Sequence, residues 1–270
     1  MIDVVVNYYN RANYPALVEA SAKLCLSCYR RDPRVAAIWL IDGSADRDQA
    51  LSVWCQKTDV HYLHAGRPLT FAEGFNLGIS QCHSDWIALS ASDIYIPDAF
   101  FERAQAFIVG LEQQSIGCLV PALTSCDIPS QERCGTRQRQ TGLMSLNLNL
   151  FPAPVLKAIG GVPEQYSGAY NDVEICLRLR QHNLSIYQLP IAALHYGKLT
   201  ISQGSAYTFE ADQSNFFDSH PELFSAKSLC NLKLDKFQRG WKRLLFQTER
   251  SIPLGRFRNP VQKWLWKQFG

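Results

Sequence analysis

A chain of 270 residues with 47% apolar and 19% charged residues is long enough to bury a large core and too apolar to be disordered. Its net charge of +3 conceals a split: residues 227–270 hold eleven Lys or Arg against two acids, a balance of +9, so residues 1–226 carry −6. No apolar stretch approaches the roughly 18 residues that span a bilayer, no basic segment precedes an apolar leader, and nine cysteines without framework spacing suit reduced thiols. The expectation is a folded cytoplasmic protein, peripheral on the inner membrane face if its basic end docks there.

Asp3 to Asn7 is a short β-branched run, which predicts a buried strand. Pro15 to Tyr29 reads as a helix with proline in its first turn, and Val35 to Ile41 as a strand ending at the turn signal Asp42-Gly43-Ser44. A polar helix over Asp46–Gln56, a strand at Val60–Leu63, a helix over Phe71–Cys82 and a strand at Trp86–Leu89 follow. Pro97 opens a helix to about Leu111, and Ile116–Val120 is a fifth strand. Residues 121–141, with Pro121 and Pro129, read as a long loop. A helix then stops at Ile159-Gly160-Gly161, Asn171 caps a helix through Arg180, and Ile186–Leu189 is a late strand. Strands alternating with helices predict a mostly parallel sheet covered on both faces. Ligands of such sheets bind beyond the carboxyl ends of the strands.

The chain has neither GxxxxGK[ST] nor GxGxxG, so the usual glycine-rich phosphate cradles are missing, and no GxSxG elbow points to a serine hydrolase. Cys25 and Cys28 have CxxC spacing but lie in an apolar helical stretch without a second ligand pair, which suits buried structural thiols.

Several segments in order do carry a signal. Val4 to Arg11 reads VVVNYYNR, Trp39 to Asp46 reads WLIDGSAD, and Phe71 to Ile79 carries Gly74, Asn76 and Gly78. Trp86 to Pro97 ends a strand in Ser90-Ala91-Ser92-Asp93; Gly160-Gly161 leads to Asn171-Asp172-Val173-Glu174 and Arg178; and Ala193-Leu194-His195 closes the set. Together these resemble an inverting GT-A glycosyltransferase of family 2 over about residues 2–197.

The resemblance implies an α/β GT-A domain, Rossmann-like, over 1–212; beyond it the pattern turns amphipathic and basic, which predicts a helical extension over 213–270. It implies transfer of a sugar from a nucleotide-diphosphate donor, UDP-linked by preference, to a hydroxyl of a glycan or lipid-linked saccharide with inversion. Asn7, Tyr8, Tyr9, Asp42 and Asn76 would hold the donor, since a carboxylate such as Asp42 can accept an imino N–H of the base. Asp172 would take the acceptor proton. The pattern departs from the family at the metal turn: Ser90-Ala91-Ser92-Asp93 stands where DADD is common, leaving Asp93, with His195, to hold Mn²⁺ or Mg²⁺. Arg137 and Arg139 sit where a lid could cover the diphosphate. A degenerate GT-A fold that binds a sugar or a partner without transfer is the alternative.

Between residues 227 and 270, basic residues alternate with Phe237, Trp241, Phe246, Phe257, Trp264, Trp266 and Phe269. That composition suits an interfacial helix on anionic lipid, or a helix packing on the domain; nucleic acid is not the expected partner.

Overall fold

The computed structural model describes residues 1–10, 14–109, 111, 115–126, 128, 130–197 and 209–221. In chain order the elements are β1 (Ile2–Tyr8), α1 (Pro15–Arg30), β2 (Val35–Asp42), α2 (Gln49–Lys57), β3 (His61–His64), α3 (Phe71–Ile79), β4 (Trp86–Ala91) and β5 (Ile94–Tyr95). Then come α4 (Phe100–Val109), β6 (Ile116–Leu123), β7 (Arg139–Thr141), β8 (Leu148–Pro152), α5 (Ala153–Ala158), α6 (Asn171–Gln181), β9 (Ser185–His195) and α7 (Phe209–Ser219).

The strands form one sheet in the order β3-β2-β1-β4-β8-β6-β9-β5, with β7 also on β9. β3, β2, β1, β4, β6 and β9 run the same way, and β8, β5 and β7 run against them. β1 lies inside the sheet and is buried along its whole length, as expected for a parallel strand covered on both faces. Its side chains alternate: Val4, Val6 and Tyr8 join a core with α1, α2 and α4, whereas Val5 joins a second core with α3, α5 and α6.

Two local devices seat α3 on the sheet. A capping box closes its start, with Thr70 accepting from Glu73 N–H and Glu73 accepting from Thr70 N–H. A Cβ at Gly78 would lie 2.2 Å from Val5 Cγ1, so only glycine permits this approach.

The register of β9 slips against β6 between Val120 and Ala122. Pro121 and Pro190 lie there, and neither can donate to a ladder. Two expectations change, while the helix expected to stop at Gly160 is present as the short α5, entered from the antiparallel β8. The stretch 121–141 is not all loop, because β6 continues to Leu123 and β7 adds to β9. Asn171 is not the cap of α6: Tyr170 holds that position at φ 62°, and Asn171 instead donates to Pro163 O at 2.8 Å.

α7 crosses residue 212, where the sequence marks the end of the domain. The basic extension beyond residue 221 lies outside the described residues. Among the described residues, no helix is long and apolar enough to cross a membrane.

Candidate active site

β1 leads by α1 to β2 on one side, while β4 lies on the other side of β1. The order of the sheet therefore reverses between β1 and β4, and the crevice outside their carboxyl ends is where such sheets bind ligands. Asp42 ends β2 on this edge, and Asp93 follows β4. His195 ends β9 on it too, because β9 runs parallel to β6. α6 joins the same edge. Its last turn leads into Ser185, paired with Ile116 at the opposite end of the sheet, so Asp172 in its first turn faces the carboxyl side.

Asp93 and His195, far apart in sequence, meet. His195 Nε2 is 3.5 Å from Asp93 Oδ1. The antiparallel pairing of Ile94 with His195 fixes the alignment, and Gly197 N–H, in a glycine turn at φ 76°, donates to Asp93 Oδ2 at 3.0 Å. His195 Nδ1 lies 2.5 Å from Ser125 O. A carbonyl only accepts, so Nδ1 carries the hydrogen and Nε2 is the ring nitrogen that faces Asp93. Metal-binding histidines are oriented by this same kind of backbone contact. A carboxylate oxygen and an imidazole nitrogen fit one divalent cation that draws its other ligands from phosphate and water. Among the described residues, no third His, Cys, Asp or Glu completes a cluster. Ser90 is turned inward, with its Oγ 2.7 Å from the Tyr29 hydroxyl.

Asp42 is fully buried. Its carboxylate accepts from Ser44 N–H at 3.0 Å, from Asp48 N–H at 3.1 Å and from the Tyr62 hydroxyl. It thereby holds the turn from 42 to 48 in shape, and it sits among donors rather than open to solvent. Tyr8 is equally enclosed and donates to Asp48 Oδ2 at 2.6 Å. Burial first, then Asp48, pushes the Tyr8 pKa up; burial first, then Asp42, does the same for Tyr62. Both phenols stay protonated donors. Asn7 donates to Phe71 O at 2.8 Å, and the Tyr9 hydroxyl donates to Thr70 O at 2.9 Å. Of the four proposed donor-binding residues at the ends of β1 and β2, Asn7, Tyr8 and Asp42 are thus tied into the scaffold beneath the crevice by burial and hydrogen bonds, and half-buried Tyr9, just past β1, lies at its rim.

Asn76 is elsewhere. Its amide clasps Val162, donating to its O at 2.8 Å and accepting from its N–H at 2.9 Å. This joins α3 to the segment after α5, next to a hollow of about 310 Å³ at the amino-edge end of α3. Arg139 is also displaced. Its Nε donates to Gln188 Oε1 at 2.8 Å, and Gln188 pairs with Val120, on the order of 15 Å along β6 from Ser125 at the His195 end. Arg137 is exposed.

Glu174, two residues beyond Asp172, is committed to a different task. It is buried and pairs with Arg178 at 3.0 Å and with His220 at 2.6 Å. Burial pushes its pKa up, but His220 and Arg178 together outweigh burial and hold it below the usual carboxylate range. Sequence reasoning missed Asp48, Tyr62, Ser125 and Asp212, whose partners come from distant segments and leave no local motif.

The sequence model of glycosyl transferase family 2 matches residues 3–125. The matched segment carries Asp42 and Asp93, whereas Asp172 and His195 lie beyond it and are placed by the fold. A hexosyltransferase of low-salt glycan biosynthesis, Agl10 of Haloferax volcanii, is 23% identical over 233 residues, spanning 78% of this chain and 73% of that protein. Among solved structures, TarS of S. aureus superposes with a TM-score of 0.55 at 16% identity over 94% of this chain. GalNAc-T7, solved with UDP, GalNAc and Mn²⁺, gives 0.64 at 13% over 100% of this chain. The chain spans 49% of TarS and 56% of GalNAc-T7. At such identities the structural likeness shows the fold, which is GT-A. Family match and relative together support a hexosyltransferase-like enzyme.

Proposed function

We propose that this protein transfers a hexose from a nucleoside-diphosphate sugar, UDP-linked by preference, to a hydroxyl of a glycan or lipid-linked saccharide, with inversion. The observation that carries this reading is the meeting of Asp93 with His195 beside the β1/β4 crevice. Asp93 and His195 would hold Mn²⁺ or Mg²⁺, which when bound supplies positive charge to a diphosphate. Tyr9 and the turn shaped by Asp42 bound the nucleoside end of the crevice, and Asn7 and Tyr8 support it from below. Asp172, at the start of α6, takes the proton from the acceptor hydroxyl as it attacks the anomeric carbon; the sugar–phosphate bond breaks and the diphosphate leaves with the electron pair. Asn76 supports the reading as a scaffold residue, holding the segment that leads to α6. Arg137 is exposed, and its charge is what supports a place over the diphosphate; Arg139 is held on Gln188 instead.

The test is release of free nucleoside diphosphate from UDP- and GDP-sugars with candidate acceptors, with Mn²⁺ and with chelator. Turnover that needs metal and falls sharply in Asp93→Ala supports the reading. Nucleotide-sugar binding without turnover under any condition favours the degenerate binding module instead. For residues 227–270, the basic and aromatic composition supports docking on anionic lipid. Sedimentation with anionic and neutral vesicles, with and without that segment, tests it.

A further inference from the structure

The clearest unassigned feature is a buried carboxylate outside the crevice. Asp212, on α7, is only 4% exposed. It accepts from four donors in consecutive residues: Ser167 N–H at 2.7 Å, Ser167 Oγ at 2.9 Å, Gly168 N–H at 3.0 Å and Ala169 N–H at 2.8 Å. Successive N–H groups turned onto one anion form a nest, and each bond is charge-assisted.

The residue that follows this nest is Tyr170, at φ 62° and ψ −4°. A bulky residue in the left-handed region is strained and persists only where its surroundings over-determine it. α7 supplies those surroundings. The Phe216 ring stacks on Tyr170 at 4.8 Å and 26°, and Gln213 Nε2 donates to the Tyr170 hydroxyl at 3.0 Å. One turn further, His220 reaches Glu174 on α6 at 2.6 Å. α7 therefore grips the chain on both sides of Asp172: before it at 167–170 and after it at 174.

We propose that Asp212 is a positioning residue for transfer, holding the 167–170 turn so that α6 begins where Asp172 can meet the acceptor hydroxyl. The proposal rests on the reading of Asp172 as the base. Asp212 touches no substrate and acts through the backbone it anchors. Asparagine in its place keeps the shape but offers one acceptor oxygen and an N–H₂ that faces N–H donors.

The experiment compares Asp212→Asn, Ser167→Ala and Asp172→Asn in the full chain, measuring kcat, KM for the nucleotide sugar, and melting temperature. A misplacement of about 1 Å can cost on the order of 100-fold in rate. Asp212→Asn should lose roughly 10- to 100-fold in kcat, with KM for the donor within about twofold of the native value, because the donor residues lie on other elements. Ser167→Ala keeps three of the four bonds, so it should fold even if Asp212→Asn does not; it should lose roughly two- to fivefold in kcat alone. A drop in melting temperature with KM and kcat changing together, or native kcat in Ser167→Ala and in a folded Asp212→Asn, overturns the proposal while leaving Asp172 in its role. Native turnover in Asp172→Asn overturns the reading beneath it, and this proposal with it.

Discussion

Asp93 and His195 show how little separates a ligand pair from a structural ion pair. The 3.5 Å between Oδ1 and Nε2 is longer than a usual hydrogen bond, and an oxygen and a nitrogen so placed would suit a shared divalent cation. With one carboxylate in the turn, metal and diphosphate should reinforce each other's binding. Nucleotide affinity should rise at least several-fold on adding Mn²⁺, lose that response in Asp93→Ala, and keep part of it in His195→Ala. Calorimetric titration of nucleoside diphosphate with Mn²⁺ and with chelator measures this; equal affinity in both would remove the metal from these residues. Asp172→Asn should lower turnover by roughly 10²–10⁴-fold, the scale of losing a general base, with nucleotide affinity unchanged. Glu174 is a poor substitute for it, because Arg178 and His220 already occupy its oxygens.

At the scale of elements, α3 carries two predictions whose signs follow from its seat on the sheet. Alanine usually stabilises a helix by about 0.8–1.0 kcal/mol over glycine. At Gly78 the new methyl would meet Val5 at 2.2 Å, and overpacking a core costs about 1–3 kcal/mol, so Gly78→Ala should destabilise on balance, read as a lower denaturation midpoint. The cap of α3 answers to acid. Arg67 first, then the Thr70 N–H, holds the Glu73 carboxyl down to about 2. A carboxyl lowered on folding adds stability above its unfolded pKa and loses it as pH falls through the folded value. Glu73→Gln keeps the capping box but loses the exposed Arg67 ion pair, so it should cost roughly 0.2–1 kcal/mol near neutrality, and the gap from the native protein should close between about pH 4.5 and 2, followed by urea unfolding across that range.

For the whole molecule, α7 makes the described fold larger than the segment the family pattern covers. A chain ending at residue 221 keeps the Asp212 nest and the His220–Glu174 pair, and should bind nucleotide with native affinity. One ending at residue 208 loses both, and should transfer at least tenfold more slowly if it remains folded. Kinetics and circular dichroism on the two truncations distinguish these outcomes.

The alternation of β-branched runs with helical stretches determined the layered, mostly parallel sheet, because burial on both faces leaves its mark in consecutive residues such as Val4, Val5 and Val6. The ordered motifs likewise pointed to Asp93, Asp172 and His195 as acids and imidazole of one edge. What composition and spacing could not decide were contacts made at long range. The antiparallel β5, β7 and β8 are short or interrupted, and their partners lie on distant strands. The sequence placed Arg139 beside the diphosphate; the pairing of β7 with β9 carried it away. Asp42, Tyr8 and Asn76 look like ligand residues in a linear motif, yet each meets donors and acceptors from remote segments that absorb its hydrogen-bonding capacity. Only the tertiary structure could assign them, because a polar side chain's role depends on which partners the fold brings within about 3 Å.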